Sequence, residues 1–293
     1  MIELLVEPWT WGAWMWRGML GASLVAVPTA VLGVFLYLRR RSMVADAHAH
    51  LAVPGIVLAF LITGSISLPV LLCGAVIVGL GASWLIEYLS RHRTIRSDAA
   101  IGIAFTPLFA LGVILLSTLV TDAHIDTHCL LFGDVLGITN RALVTLGIVT
   151  ATVLTLTVLG WRWLYVSTLD PDYAVTIGVP AAAVNYALMS AVAGTTMAAF
   201  EAVGAILVIA MVIVPAATAH LVTNRLHTMI LAAIGHGLAS AWGGMYASVW
   251  LNCSTAGAMV VTGGLLYTLA LVFAPQHGLF ARRGTLKVVG GIA

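Results

Sequence analysis

An all-α, polytopic membrane fold is predicted for this chain of 293 residues. Composition is the first reason: 61% of the residues are apolar and only 8% are charged. Soluble domains average about 45–50% apolar and ~25% charged residues. A globular domain of this size needs far more charge to cover its surface. The mean hydropathy of +1.07 agrees. The second reason is a series of apolar segments, each close to the roughly 20 residues that cross a hydrocarbon core. The third is the placement of arginine and lysine between them, which is strongly one-sided. A net charge of +2 and the lack of a basic patch interleaved with aromatics exclude a nucleic-acid partner.

Nine segments qualify, at about 11–38, 43–63, 68–89, 99–121, 142–161, 181–200, 203–222, 228–250 and 256–274. The joins between the second and third, and between the sixth and seventh, are tight enough for one member of each pair to be re-entrant. The accepted range is therefore seven to nine crossings, with about eight or nine expected. Arg39, Arg40 and Arg41 follow the first segment, and Arg91, Arg93 and Arg96 follow the third. Arg162 follows the fifth, Arg225 the seventh, and Arg282, Arg283 and Lys287 close the chain. With nine crossings, 11 of the 13 basic residues share one side, and the positive-inside rule makes that side cytoplasmic. The opposite side collects Glu3, Glu7, Asp122, Asp126, Asp134 and Glu201. The N-terminus is thus expected outside and the C-terminus in the cytoplasm. Glu3 and Glu7 stand where a cleavable signal would be basic, so insertion relies on the first segment itself. Glycine is abundant, at 29 residues, as in closely packed membrane helices.

Several chemistries are excluded early. The only lysine, Lys287, precedes Val288, so no Gly-x-x-x-x-Gly-Lys-Ser/Thr loop exists to hold ATP. Any ATP-driven work needs another chain. Cys73, Cys129 and Cys253 are too scattered for a disulfide framework or a thiolate zinc site. The stretch His124-Ile-Asp-Thr-His128 carries Ile125 where a zinc protease needs its glutamate base, and no Gly-x-Ser-x-Gly elbow occurs.

Ionisable groups inside an apolar segment mark function by default, because they are costly there. The second segment carries Asp46, His48 and His50. Asp46 and His50 are four apart and share one helix face. A carboxylate and an imidazole so placed suit Mn²⁺, Zn²⁺ or Fe²⁺. Two ligands make a weak site, and a two-fold dimer brings four to its axis. Weak, exchangeable binding is what a pathway requires. The competing reading is a solvated interfacial pair beside Arg39–Arg41. His48 lies about 200° around the helix and is expected to face elsewhere, but it is kept as a further candidate metal ligand. His124, Asp126 and His128 form an external polar loop that can collect metal at the mouth. Glu201, between two segments, is a candidate gating acid or a solvated helix end. His220 follows Pro215, whose missing N–H opens the helix, and is a further candidate for the metal pathway. His236 lies mid-span, where a hydrogen bond between helices competes with a pathway role.

Ordered blocks then point to a family. Ser42-Met-Val-Ala-Asp46-Ala-His-Ala-His50-Leu-Ala-Val-Pro54-Gly55 resembles a motif in the permease subunits of ATP-binding-cassette importers for zinc, manganese and iron. Arg96–Phe105, Phe109–Leu115, Leu131–Ile138, Asp170–Pro180, Val203–Ala219, Gly244–Ser248 and Phe273–Leu279 follow in the family's order. The resemblance spans about residues 20–285. It implies a single transmembrane permease domain over 1–293 with a short cytoplasmic coupling helix and a basic tail at 276–293. It implies no enzymatic activity and no permanent cofactor, the metal ion being cargo. It implies a homodimer or a pairing with a closely related second permease in the plasma (inner) membrane of a bacterium. An ATPase subunit would dock on a coupling element at about 169–180, carried by Leu169, Asp170, Pro171, Gly178 and Pro180. An extracytoplasmic solute-binding protein would deliver the ion. Asp46 and His50 match the family's metal-pathway Asp and His, whereas His48 stands where the family often has a smaller or apolar residue. The rival is an ion-coupled secondary metal transporter. It needs acids deep in several spans, and most acids here lie at ends and loops.

Overall fold

The structure is a computed structural model that describes residues 12–65, 67–90, 95–119 and 135–274. All regular structure among the described residues is helical. In chain order the helices are α1 (Ala13–Leu38), α2 (Met43–Thr63), α3 (Leu68–Ser90), α4 (Ser97–Leu119) and α5 (Asn140–Leu159). Two short helices follow, α6 (Trp161–Leu169) and α7 (Pro171–Thr176). The chain then forms α8 (Ala181–Val203), α9 (Ala205–Val222), α10 (Leu226–Leu251) and α11 (Thr255–Phe273).

Eight of these are long and apolar enough to cross a membrane. Besides the short α6 and α7, the helix outside that set is α10, which has 26 residues but carries His227, His236, Trp242 and Trp250. It packs against α11, α1 and α9 and completes the nine-segment pattern. The segments suspected of re-entry, α2 with α3 and α8 with α9, are each full-length helices. The predicted boundaries agree within about three residues. The sequence reading treated 162–180 as one connection, and the structure divides it into α6 and α7.

Helix α1 is the axis of the bundle. It packs on α5, α8, α9 and α10, and most of its length is buried. Helix α2 packs chiefly against α3 and α4, and its far face meets α8. The α2–α3 crossing is close because both contact points are glycines. A Cβ at Gly55 would overlap the backbone of Ala75, and one at Gly74 would overlap Ala59. Helix α4 closes on α2 at Gly112, where a Cβ would lie 2.6 Å from Pro54 Cβ. Such approaches replace side-chain volume with backbone contact, the usual route to tight helix pairs in lipid.

One end of the bundle gathers the arginines. The Arg41 guanidinium meets Glu87 at 2.7 Å, joining the α1–α2 turn to the end of α3. Arg39 reaches Ser167 and Thr168 of α6 and Asn185 of α8. Trp161 stacks on His227 at 4.5 Å, and Tyr37 meets His220 at 5.2 Å. The turns after α1, α3, α5 and α9 therefore share this end.

Candidate functional site: a carboxylate–imidazole pair on α2

Helix α2 begins directly after the arginine-rich turn. Asp46 falls in its first turn, where the helix dipole favours a negative charge. Four residues on, His50 Nε2 lies 3.5 Å from Asp46 Oδ1. Their side chains are 37% and 38% exposed, so both remain open to an entering ion. Helix α4 holds the imidazole from the side. Phe105 stacks on His50 at 6.2 Å between ring centres, and Phe109 meets it edge-on at 5.3 Å. Two aromatic walls restrict the ring to few rotamers and leave its nitrogens for polar partners. Pro54 adds an acceptor. It has no N–H, so the carbonyl four residues before it, that of His50, loses its helical donor.

This patch can bind a cation but cannot sequester one. Among the described residues no three His, Cys, Asp or Glu side chains come together. One carboxylate, one imidazole and one freed carbonyl leave several coordination positions to water or to a second chain. A tight structural zinc site closes four positions with protein. The arrangement suits an ion that must leave again.

His48 has a different environment. It is fully buried on the opposite side of α2. Its Nδ1 lies 2.8 Å from the Val44 carbonyl and its Nε2 2.6 Å from Ser83 Oγ on α3. A carbonyl only accepts, so Nδ1 carries the proton and the neutral ring offers Nε2 as acceptor to the Ser83 hydroxyl. The Gly79 carbonyl, 2.9 Å from Ser83 Oγ, is the alternative acceptor for that single proton. Both ring nitrogens are thus engaged, Nδ1 within α2 and Nε2 in joining α2 to α3.

The remaining candidates lie elsewhere. His220 is half-buried at the end of α9, against Tyr37. His236 is buried in α10, and its Nε2 and the nearby Ser240 Oγ find no protein partner. Glu201 falls within α8, but its side chain lies outside the described residues, as do His124, Asp126, His128 and the tail at 276–293.

The 169–180 element is built as a projecting knob. Asp170 Oδ1 accepts from the Tyr173 N–H at 2.9 Å, and Pro171 opens α7 at a position where its missing donor costs nothing. Gly178 takes φ +78, which lets the Val179 N–H return to the Ala174 carbonyl at 2.9 Å. Ala174 is fully buried and pins the helix to the bundle, while Leu169, Tyr173, Val175 and Ile177 are exposed. Leu169, Tyr173, Val175 and Ile177 thus form an exposed apolar patch rimmed by Asp170, Asp172 and Pro180.

Phe105 and Phe109 belong to motif blocks in the sequence, but nothing in their spacing ties them to His50. The Arg39–Asn185–Glu87–Arg41 cluster was also missed. Its members are 146 and 98 residues apart along the chain, and no local pattern connects them.

Comparison with known proteins sets this geometry in context. The ABC 3 transport family matches residues 13–274. The manganese transport system membrane protein MntD of Bacillus subtilis is 38% identical over 273 residues, covering 89% of this chain and 92% of that protein. The zinc transport system membrane protein TroD of Treponema pallidum is 37% identical over 273 residues, covering 89% of this chain and 74% of that protein. Among solved structures, PsaBC from Streptococcus pneumoniae in complex with Fab superposes with a TM-score of 0.81 at 28% identity, covering 94% of this chain and 98% of that one.

Proposed function

The chain belongs to the ABC 3 transport family, and from that membership we propose that it is the membrane-spanning permease of an ATP-driven importer for divalent transition metal ions. The observation that carries the proposal is the Asp46–His50 pair, one helical turn apart and open to solvent. Carboxylate and imidazole together accept Mn²⁺, Zn²⁺ and Fe²⁺, so the ligands alone do not rank the three. The relatives named for manganese and for zinc are equally similar within a percentage point.

In this reading the arginine-rich end is cytoplasmic. A binding protein outside the membrane releases the ion between two permease chains. Asp46, His50 and the freed His50 carbonyl of each chain replace part of its hydration shell. Four side-chain ligands around a two-fold axis hold the ion long enough to exclude competitors and loosely enough to let it go. The exposed α7 knob, with Tyr173 and Val175 outward, seats a separate ATPase chain. ATP binding and hydrolysis there shift the bundle between outward-open and inward-open states. The permease itself breaks no covalent bond.

The test is metal uptake by proteoliposomes holding the permease, its ATPase and its binding protein. Uptake that needs ATP, stops with vanadate and collapses in Asp46→Ala and His50→Ala complexes of normal assembly supports the reading. Normal uptake by both variants removes the pair from the pathway. Uptake independent of ATP replaces the importer with an ion-coupled carrier.

A further inference from the structure

A second polar cluster lies at the arginine-rich end. Arg39, in the turn between α1 and α2, donates from Nε and Nη2 to Thr168 Oγ1 at 3.1 and 3.0 Å. Its Nη2 also donates to Ser167 Oγ at 2.9 Å, and its Nη1 donates to Asn185 Oδ1 at 2.8 Å. Asn185 Nδ2 donates to Glu87 Oε2, which also accepts from Arg41 Nη1 at 2.7 Å. Burial, with Arg41 close by, pushes the Arg39 guanidinium down to about 10, and Glu87 opposes the shift. The group stays charged at neutral pH.

The partners are placed tellingly. Ser167 and Thr168 end α6, directly before the Asp170 cap of α7. Asn185 lies in the second turn of α8, which begins directly after Pro180. One guanidinium therefore grips the chain on both sides of the projecting knob. The same residue stands four positions before α2 begins and seven before Asp46. Arg41 fixes the other side of that turn to α3 through Glu87. A planar fork that satisfies four bonds at once transmits direction as well as force, which a point charge does not. A cavity of about 500 Å³ lined by Arg39, Arg40, Glu87, Thr168 and Asn185 gives the fork room to swing.

We propose that Arg39, held by Ser167, Thr168 and Asn185, is the positioning residue that links movement of the α7 knob to helix α2 and its Asp46–His50 pair. The inference rests on the importer reading above. Pulling α7 displaces the ends of α6 and α8 together. The Arg39 fork carries that displacement into the α1–α2 turn, and α2, a continuous helix, carries it to the ion. The link needs no contact between Arg39 and the metal.

The test measures metal uptake and binding-protein-stimulated ATP hydrolysis side by side in the reconstituted complex. Arg39→Gln is expected to keep hydrolysis within about twofold of wild type while metal moved per ATP falls about tenfold, inside the usual range for coupling between sites. Arg39→Lys, which keeps the charge without the fork, is expected to fall between. A purely structural role would lower uptake and hydrolysis in proportion to assembled complex and leave their ratio unchanged. Should Arg39→Gln fail to assemble, the pair Ser167→Ala with Thr168→Val removes only the hydroxyl acceptors at nearly constant volume and is expected to lower the ratio. An unchanged ratio in assembled Arg39→Gln, or in the hydroxyl variant, overturns the link alone. A wild-type complex without ATP-driven uptake overturns the importer reading and the link with it.

Discussion

Two polar clusters flank the start of α2 and are built in opposite ways. Around Arg39, Glu87 and Asn185 nearly every polar atom has a protein partner, and Glu87 is almost fully buried. Among the described residues, the one polar side-chain contact of Asp46 and His50 is with each other at 3.5 Å, and both are more than a third exposed. The first arrangement is closed, so its bonds are expensive to break and hold geometry. The second is open, so its ligands remain available to a visitor. His48 supplies an internal control. Two residues from His50 on the same helix, it is sealed by Val44 and Ser83. Ligand chemistry alone therefore does not separate the two histidines; the proposed pathway role falls to the one whose ring nitrogens are not already engaged inside the bundle.

The contrast can be broken most forcefully at Glu87. Glu87→Ala leaves the half-buried Arg41 and the buried Asn185 without their shared acceptor, which costs about 3 kcal/mol, the lower end for a broken buried pair. A large drop in the thermal midpoint of the detergent-solubilised permease checks this, and an unchanged midpoint would make the cluster decorative. Asp46→Ala and His50→Ala should behave conversely. Each is expected to weaken metal uptake by about 10–100-fold, the loss seen even when only a ligand's supporting contact is removed. Thermal stability in the absence of metal should stay near wild type.

Ser83→Ala sharpens the comparison within α2. It leaves His48 Nε2 buried and unpaired, at about 1–2 kcal/mol. The expected readout is a lowered thermal midpoint with unchanged metal competition profiles; altered selectivity would move His48 into the pathway. Phe109→Ala is the mildest change. It removes one aromatic wall of His50, worth about 0.5–1.5 kcal/mol, and should raise the metal concentration for half-maximal uptake a few-fold.

Much of this was legible along the chain because the information is local. Asp46 and His50 are four apart, and a helix of ordinary pitch must place them on one face. The segment at 43–63 is bounded by arginines on one side and Gly64 on the other, and α2 occupies the same residues. The element at 169–180 was legible only through the family resemblance, although its Asp170-Pro171 start and Gly178 stop fit the chemistry of helix ends. Single-residue environments were less legible. His48 could be turned away from Asp46 by angle, but its seal by Ser83 depends on how α3 crosses at Gly55 and Gly74.

The sequence by itself determined that the chain lies in a membrane, where its long helices begin and end to within about three residues, which end gathers positive charge, and which carboxylate and imidazole share a face. Composition, period and end chemistry act over a few residues, and a bilayer forces every apolar run to satisfy its backbone internally as a helix. Tertiary structure alone decided that Phe105 and Phe109 flank His50, that His48 is closed, and that Arg39 grips α6 and α8 together. Those contacts join residues up to 146 apart, and their energies depend on how whole helices pack rather than on any spacing along the chain.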